Sequence, residues 1–181
     1  MGMLRAARQE DLPAMMDIFL QAKAYMATQG IDQWQGDYPG EQDFREDISL
    51  GDAWVWEEDG QVVGIAALVF GEDPFYRTIN AQAASGGSGW LTQGTPYATL
   101  HRFALRADRR GGGTATAMLR AMEDVCRARA AASLRTDTHR GNRPMRGFLQ
   151  KNGYTLCGEV IYDVITEGDP IRIAFEKRLR P

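Results

Sequence analysis

Cysteine is scarce: Cys126 and Cys157 are the only two in 181 residues, and neither belongs to a CxxC pair or a Cys/His ligand spacing. That excludes a disulfide framework and gives no metal site, so both thiols read as buried and idle. Long apolar runs are also missing. No segment approaches the roughly 20 apolar residues that span a bilayer, and the opening MGMLRAARQEDLP has no apolar stretch of signal-peptide length. Ala6 stands where a myristoylation signal needs Ser or Thr. A cytoplasmic location without membrane contact is expected.

Excess positive charge is absent as well. Lys and Arg total 21 against 24 Asp and Glu, a formal net charge of -3. Phosphate affinity is built from clustered cations, so a nucleic-acid partner is not expected and any basic patch must be local. What remains is ordinary globular composition, 44% hydrophobic and 25% charged. The length suits one core, and a single domain over residues 1–181 is expected.

Along the chain, Met3 to Ala7 alternates as a strand, and EDLPAMMDIFLQAKAYMATQG places Leu12, Met15, Met16, Phe19 and Ala22 at helical spacing behind Asp11 and Pro13. The loop GIDQWQGDYPG carries Trp34 and Tyr38, aromatics that either bind a ligand or lid the core edge. A second helix is expected over Gln42 to Leu50, then a hairpin turning at Glu58-Asp59-Gly60. Gly71 to Gly94 is irregular, with SGGSG at Ser85 to Gly89 the most flexible in composition.

Tyr97 to Leu105 alternates, with His101, Phe103 and Leu105 on one side and Arg102 and Ala104 on the other. This strand runs into ADRRGGGTATAMLRAMEDVCRARA, whose apolar stripe of Ala117, Met118, Ala121, Met122 and Val125 makes a helix in which Glu123 faces Arg127. A strand at Ser133 to Thr138, a helix from Asn142 to Lys151, and strands at Tyr154 to Val164 and Ile171 to Lys177 complete the pattern, the last two joined at Glu167-Gly168-Asp169. Helical crossovers mixed with hairpins imply an α/β or α+β fold with a sheet of mixed direction and six or seven strands.

Arg110-Gly111-Gly112-Gly113-Thr114-Ala115 lies between strand and helix, where unpaired amides and the positive end of a helix dipole meet. Glycines let phosphate oxygens approach those amides, Arg109 and Arg110 add positive charge at the rim, and Thr114 adds a hydroxyl. A tight turn with no ligand is the competing reading. The Walker GK[ST] ending and the GxGxxG dinucleotide pattern are both absent.

The same six residues fit [Q/R]xxGx[G/A] after the fourth strand, and LRTDTHRGNRPMRGFLQKNGYTLCGEV continues with an asparagine opening the next helix and a Lys151-Asn152-Gly153-Tyr154 ending. In this the sequence resembles the GCN5-related N-acetyltransferase (GNAT) superfamily, most closely from Tyr97 to Gly158. The resemblance implies a mixed, mostly antiparallel sheet with about four helices, its central strands splayed around acetyl-CoA. It implies cofactor contacts from Phe103, Ala104 and Leu105 of the fourth strand, Arg109 to Ala115, Asn142 and Lys151. It also implies an oxyanion-binding N–H near Leu105.

Attack of a neutral amine on a thioester needs a base, and His101, Asp137 and His139 are the candidates, each with a purely structural alternative. Many family members place a tyrosine acid where this chain has Leu149, so the proton donor for the leaving thiolate stays open, with Tyr154 and water as alternatives. Trp34, Tyr38 and Phe75 are candidate acceptor contacts. The leading expectation is an acetyl-CoA-dependent N-acetyltransferase acting on a small-molecule or peptide amine. A CoA-binding module without turnover and a partner-binding domain are the alternatives, and a homodimer stays open.

Overall fold

The structure is a computed structural model that describes residues 2–82, 86–163 and 168–179. Among the described residues it holds seven strands in one sheet, in the order β1-β2-β3-β4-β5-β7-β6, and four α-helices. The chain divides into two compact units, Met1–Val69 with His101–Met122, and Phe70–Leu100 with Glu123–Pro181.

In the first unit, β1 (Met3–Ala6) pairs antiparallel with β2 (Ala53–Glu58), and β2 with β3 (Gln61–Phe70). Asp59 (φ 50°) and Gly60 (φ 74°) turn the hairpin with Glu58 opposite Gln61. Both turn residues are left-handed, which matches the twist of the strands and explains the Asp-Gly pair. Helix α1 (Leu12–Thr28) starts with Pro13 in its first turn, and Asp11 just before it accepts hydrogen bonds from the Arg8 amide (2.7 Å) and the Arg5 guanidinium (2.7 and 2.8 Å). Of the apolar stripe read from the sequence, Leu12, Met15 and Phe19 are buried and Met16 and Ala22 partly so; with Ile18 they pack against Val55, Ile65 and Phe44 of α2 (Glu41–Leu50). Gly51 (φ 77°) ends α2.

In the second unit, β5 (Ser133–His139) pairs antiparallel with β7 (Ile171–Arg178), and β7 with β6 (Thr155–Ile161). The first half of β4 (Tyr97–Leu105) runs parallel to β5, its ladder ending at Leu100 opposite Thr136. Helix α4 (Arg143–Lys151) is capped by Asn142, whose side-chain oxygen accepts from the Met145 amide at 3.2 Å. Fully buried Glu176 accepts hydrogen bonds from Ser133, Thr92, the Leu91 amide and Arg135, and the Arg135 guanidinium stacks over Trp90 (4.2 Å) and Tyr97 (3.8 Å). This network ties residues 90–92 to the sheet, so part of the stretch expected to be irregular is held firmly. Leu91 and Trp90 also pack with Tyr76, Cys157 and Val160.

Helix α3 (Thr114–Ala128) and β4 both contain a unit boundary. Within α3, Met118 and Met122 are buried as expected, and Arg127 bonds Glu123 at 3.3 Å. Cys126 and Cys157 are buried free thiols, and burial pushes each up to about 12. No described helix is long and apolar enough to cross a membrane. Of the sequence readings, the end of the strand at Val164, the turn residue Glu167 and Ser85 of SGGSG lie outside the described residues.

One expectation is corrected. The alternation along Tyr97 to Leu105 does not persist, because Arg102 takes a left-handed φ of 52° in mid-strand. Burial does not alternate along the strand either, since Ala98, Thr99 and Leu100 are all buried, as are Ala104 and Leu105.

Candidate active site

The first unit contains the glycine turn. Gly111 (φ 81°) and Gly113 (φ 89°) are left-handed, and a Cβ at Gly111, Gly112 or Gly113 would meet nothing within 4 Å. The turn therefore presents bare backbone to open space at the N-terminus of the 15-residue helix α3. A phosphate oxygen could approach these amides with no side chain in the way and a helix dipole behind them.

At the rim, both arginines are engaged by neighbouring side chains. Arg109 is held by Glu58 (3.1 Å) and Asp108 (2.7 Å), and Arg110 lies over the Tyr25 ring at 4.6 Å. The Thr114 hydroxyl donates to Glu58 at 3.3 Å. Glu58 is held below the usual carboxylate range by the Trp56 indole N–H (3.0 Å), then by Arg109 and Thr114. It had no motif to announce it: it is the last residue of β2, and only the hairpin brings it to a turn some fifty residues further on.

Also in this unit, Arg102 forks onto Asp47 at 2.7 and 2.6 Å and donates to the Tyr38 hydroxyl at 3.2 Å. Burial pushes the Asp47 carboxyl up even though Arg102 and the neighbouring His101 pull it down. His101 is half-buried beside this pair. Trp34 packs on Phe19 with ring centroids 5.3 Å apart, so it lids the core edge, whereas Tyr38 is 61% exposed.

In the second unit, Asp137 of β5 accepts two phenol hydrogen bonds on Oδ2, from Tyr76 (2.6 Å) and Tyr162 (2.7 Å). Phe75 stacks on Tyr162 with centroids 4.3 Å apart. Tyr76 is buried, its phenol pushed well up by desolvation and then by the Asp137 charge, so it stays a donor. Trp90 fixes it by donating to its carbonyl at 2.9 Å. Neither tyrosine was legible as a partner of Asp137, since they lie 61 and 25 residues away from it in sequence.

His139 accepts from the Gly141 amide on Nδ1 (3.0 Å), and its Nε2 faces Asp169 at 3.6 Å. Asn142 donates its own amide to the His139 carbonyl at 2.9 Å, so His139 helps shape the turn that opens α4. Lys151 is exposed in the last turn of α4. Leu149 is fully buried, and the Tyr154 hydroxyl donates at 3.2 Å to buried Glu123, which also binds Lys177 at 2.8 and 2.9 Å.

The comparisons agree with this fold. Residues 13–154 match the Acetyltransferase (GNAT) family. A GNAT-family acetyltransferase from Streptococcus agalactiae 2603 shares 31% identity and a TM-score of 0.85, over 99% of this chain and 96% of that one. An N-acetyltransferase from Staphylococcus aureus Mu50 (20% identity, TM-score 0.66, 99% of each chain) shares the fold. So does a ribosomal-protein-alanine N-acetyltransferase from Brucella melitensis (18%, TM-score 0.67, 97% of this chain and 99% of that one). A comparison with curated proteins finds no match. The chain belongs to the GNAT acetyltransferase family.

Proposed function

We propose that the chain works as one acetyltransferase domain over residues 1–181, taking the acetyl group of acetyl-CoA and moving it to a primary amine by direct attack on the thioester. The observation that carries this reading is the Gly111–Gly113 turn, bare backbone opening into free space at the start of α3 in a GNAT-family chain. When bound, acetyl-CoA supplies an acetyl group activated as a thioester. Gly111 to Ala115 would hold the diphosphate with their amides, with Arg109 and Thr114 as neighbouring donors. The β4 backbone at Phe103, Ala104 and Leu105 would hold the pantetheine arm, and the Leu105 N–H would be a donor to the reacting carbonyl oxygen. Asn142 and Lys151 are further cofactor contacts in this reading.

Asp137 is the base. Both phenol bonds converge on Oδ2, which leaves Oδ1 to take the amine proton. His139 uses Nδ1 to hold the Gly141 amide and acts as a turn holder, while His101 beside Asp47 is the second base candidate.

Calorimetric titration with acetyl-CoA and CoA, with ATP and NAD as comparisons, tests the cofactor. Binding of the two CoA species alone supports the reading, and no binding of either overturns it. Thiol release from acetyl-CoA in the presence of amines then tests turnover. Binding without release across a broad amine set would favour a CoA-binding module, the reading motivated by Leu149 in place of the tyrosine acid.

A further inference from the structure

In the second unit, β5, β7 and β6 lie side by side, and their register decides which side chains share a face. Asp137 stands opposite Ala174 and His139 opposite Arg172, so Asp137 and Arg172 project from the same face. They are diagonal neighbours on adjacent strands, a relation that sets Cα atoms about 7–8 Å apart. Val160 stands opposite Arg172, and the Tyr162 amide donates to the Pro170 carbonyl at 3.0 Å, which brings Tyr162 to that face as well. Tyr162 reaches both groups: its hydroxyl donates to Asp137 Oδ2 at 2.7 Å, and the Arg172 guanidinium carbon lies 5.9 Å from its ring centroid.

Arg172 is only 6% exposed. Its Nη1 donates to the main-chain carbonyls of Asp169 and Ile171, which fixes the guanidinium. Among the described residues, Nε and Nη2 have no hydrogen-bond partner, and no carboxylate pairs with the group. The nearest acid along the chain, Asp169, is held by Arg140 at 2.6 Å and faces His139 at 3.6 Å. Other arginines of this chain show what the unpaired nitrogens can do. Arg102 grips both oxygens of Asp47 with Nε and Nη2, and Arg135, equally buried, sets Nε on Glu176 at 3.1 Å. A buried cation without an acid is costly, and a fork of two parallel N–H donors matches a carboxylate.

We propose that Arg172 binds a carboxylate of the acceptor, and that the acceptor is an amino acid, its amine at Asp137 and its carboxylate on the Nε and Nη2 fork. The inference rests on the acetyl-transfer reading with Asp137 as base. Tyr162, with its hydroxyl on one group and its ring beside the other, is the wall between the two ends, and Phe75 stacks on it at 4.3 Å. A neutral amide or a plain alkylamine in the same place leaves the fork unpaired and is disfavoured. In the transfer, the new carbon–nitrogen bond forms as the carbon–sulfur bond breaks. The nitrogen's proton leaves through Asp137 to solvent, and the sulfur departs as a thiolate that takes a proton from water.

The test measures thiol release from acetyl-CoA with the common amino acids, each beside its own amide, on the native chain, Arg172→Gln and Arg172→Lys, with melting temperature as the folding control. The acid-to-amide ratio of kcat/KM, in which the basicity of each amine cancels between chains, should fall roughly tenfold to a hundredfold in Arg172→Gln through the KM of the acid. Amide rates should be kept, which a merely structural role would not allow, since a distorted strand lowers both. Arg172→Lys keeps the charge without the fork and should fall less. An unchanged ratio in Arg172→Gln, or in Arg172→Lys should the first variant not fold, overturns the proposal. So does a native chain that acetylates simple monoamines but no amino acid. Loss of acetyl-CoA affinity in Arg172→Gln by calorimetry would give the guanidinium to the cofactor and overturn it too. If acetyl-CoA does not bind, or no amine releases thiol, the transfer reading falls and calorimetric titration with the same amino acids decides the site. Binding that Arg172→Gln loses supports Arg172 as a carboxylate site, and no binding to the native chain overturns it.

Discussion

The Glu58 carboxylate bridges Thr114 and Arg109, at 3.3 Å from the hydroxyl and 3.1 Å from the guanidinium nitrogen. A negative group thus occupies two of the donors that a cofactor diphosphate would need, and it must be displaced or tolerated when phosphate enters. Glu58→Gln keeps the shape and removes the charge. It should tighten acetyl-CoA binding about threefold to tenfold by calorimetry, in line with one partly exposed charge contact. Because Glu58 is held below the usual carboxylate range, the native chain carries this charge throughout neutral pH and the difference should be flat from pH 6 to 8. Weaker binding in the variant would make Glu58 a positioning group instead.

Gly112 gives the cleaner test of the cradle. Gly111 and Gly113 are left-handed, so any side chain there strains the backbone, whereas Gly112 carries no such φ and has open space at its Cβ position. Gly112→Glu should therefore fold with an unchanged melting temperature yet lose acetyl-CoA binding by about a hundredfold or more, through bulk and repulsion of the phosphates. Retained affinity would remove the turn from the site.

Asp137→Asn should lower kcat by about a hundredfold or more while leaving the KM for acetyl-CoA unchanged, as expected for a lost proton acceptor. Tyr162→Phe removes one of its two donors and should cost less. Full activity of Asp137→Asn would move the base to His101, which His101→Ala would then reveal in the pH dependence of kcat/KM.

Asp11 supplies an acid-sensitive brace. Its carboxyl is held low first by hydrogen bonds from Arg5, then by the Arg8 amide. A lowered carboxyl contributes stability above its unfolded pKa and loses it as pH falls through the folded one. Asp11→Asn should cost about 2 kcal/mol at pH 7, in the range for a charged hydrogen-bonded pair. The gap between variant and native melting temperatures should close below about pH 4. A gap unchanged at pH 3 would show that the ion pair contributes nothing.

Much of this architecture was legible along the chain because its causes are local. The spacing of Leu12, Met15 and Phe19 is a helical period, Asp59-Gly60 is a left-handed turn, and Asn142 before Pro144 is an N-cap; the helices they belong to and the hairpin formed where expected. The glycine turn was legible for the same reason, since backbone freedom is a property of the residues themselves. The alternation of β4 failed at Arg102, where a bidentate bond to Asp47, 55 residues away, accompanies a left-handed backbone that strand propensity does not favour.

The sequence by itself determined the order of strands and helices and the helix-starting glycine turn, which follow from short-range periodicity and backbone chemistry, while its motifs carried the resemblance to the family. Only the tertiary structure decided which side chains surround those features: Glu58 at Arg109 and Thr114, Tyr76 and Tyr162 on Asp137. Those groupings join residues dozens of positions apart, and no local preference encodes a contact whose partners are brought together by sheet pairing and core packing.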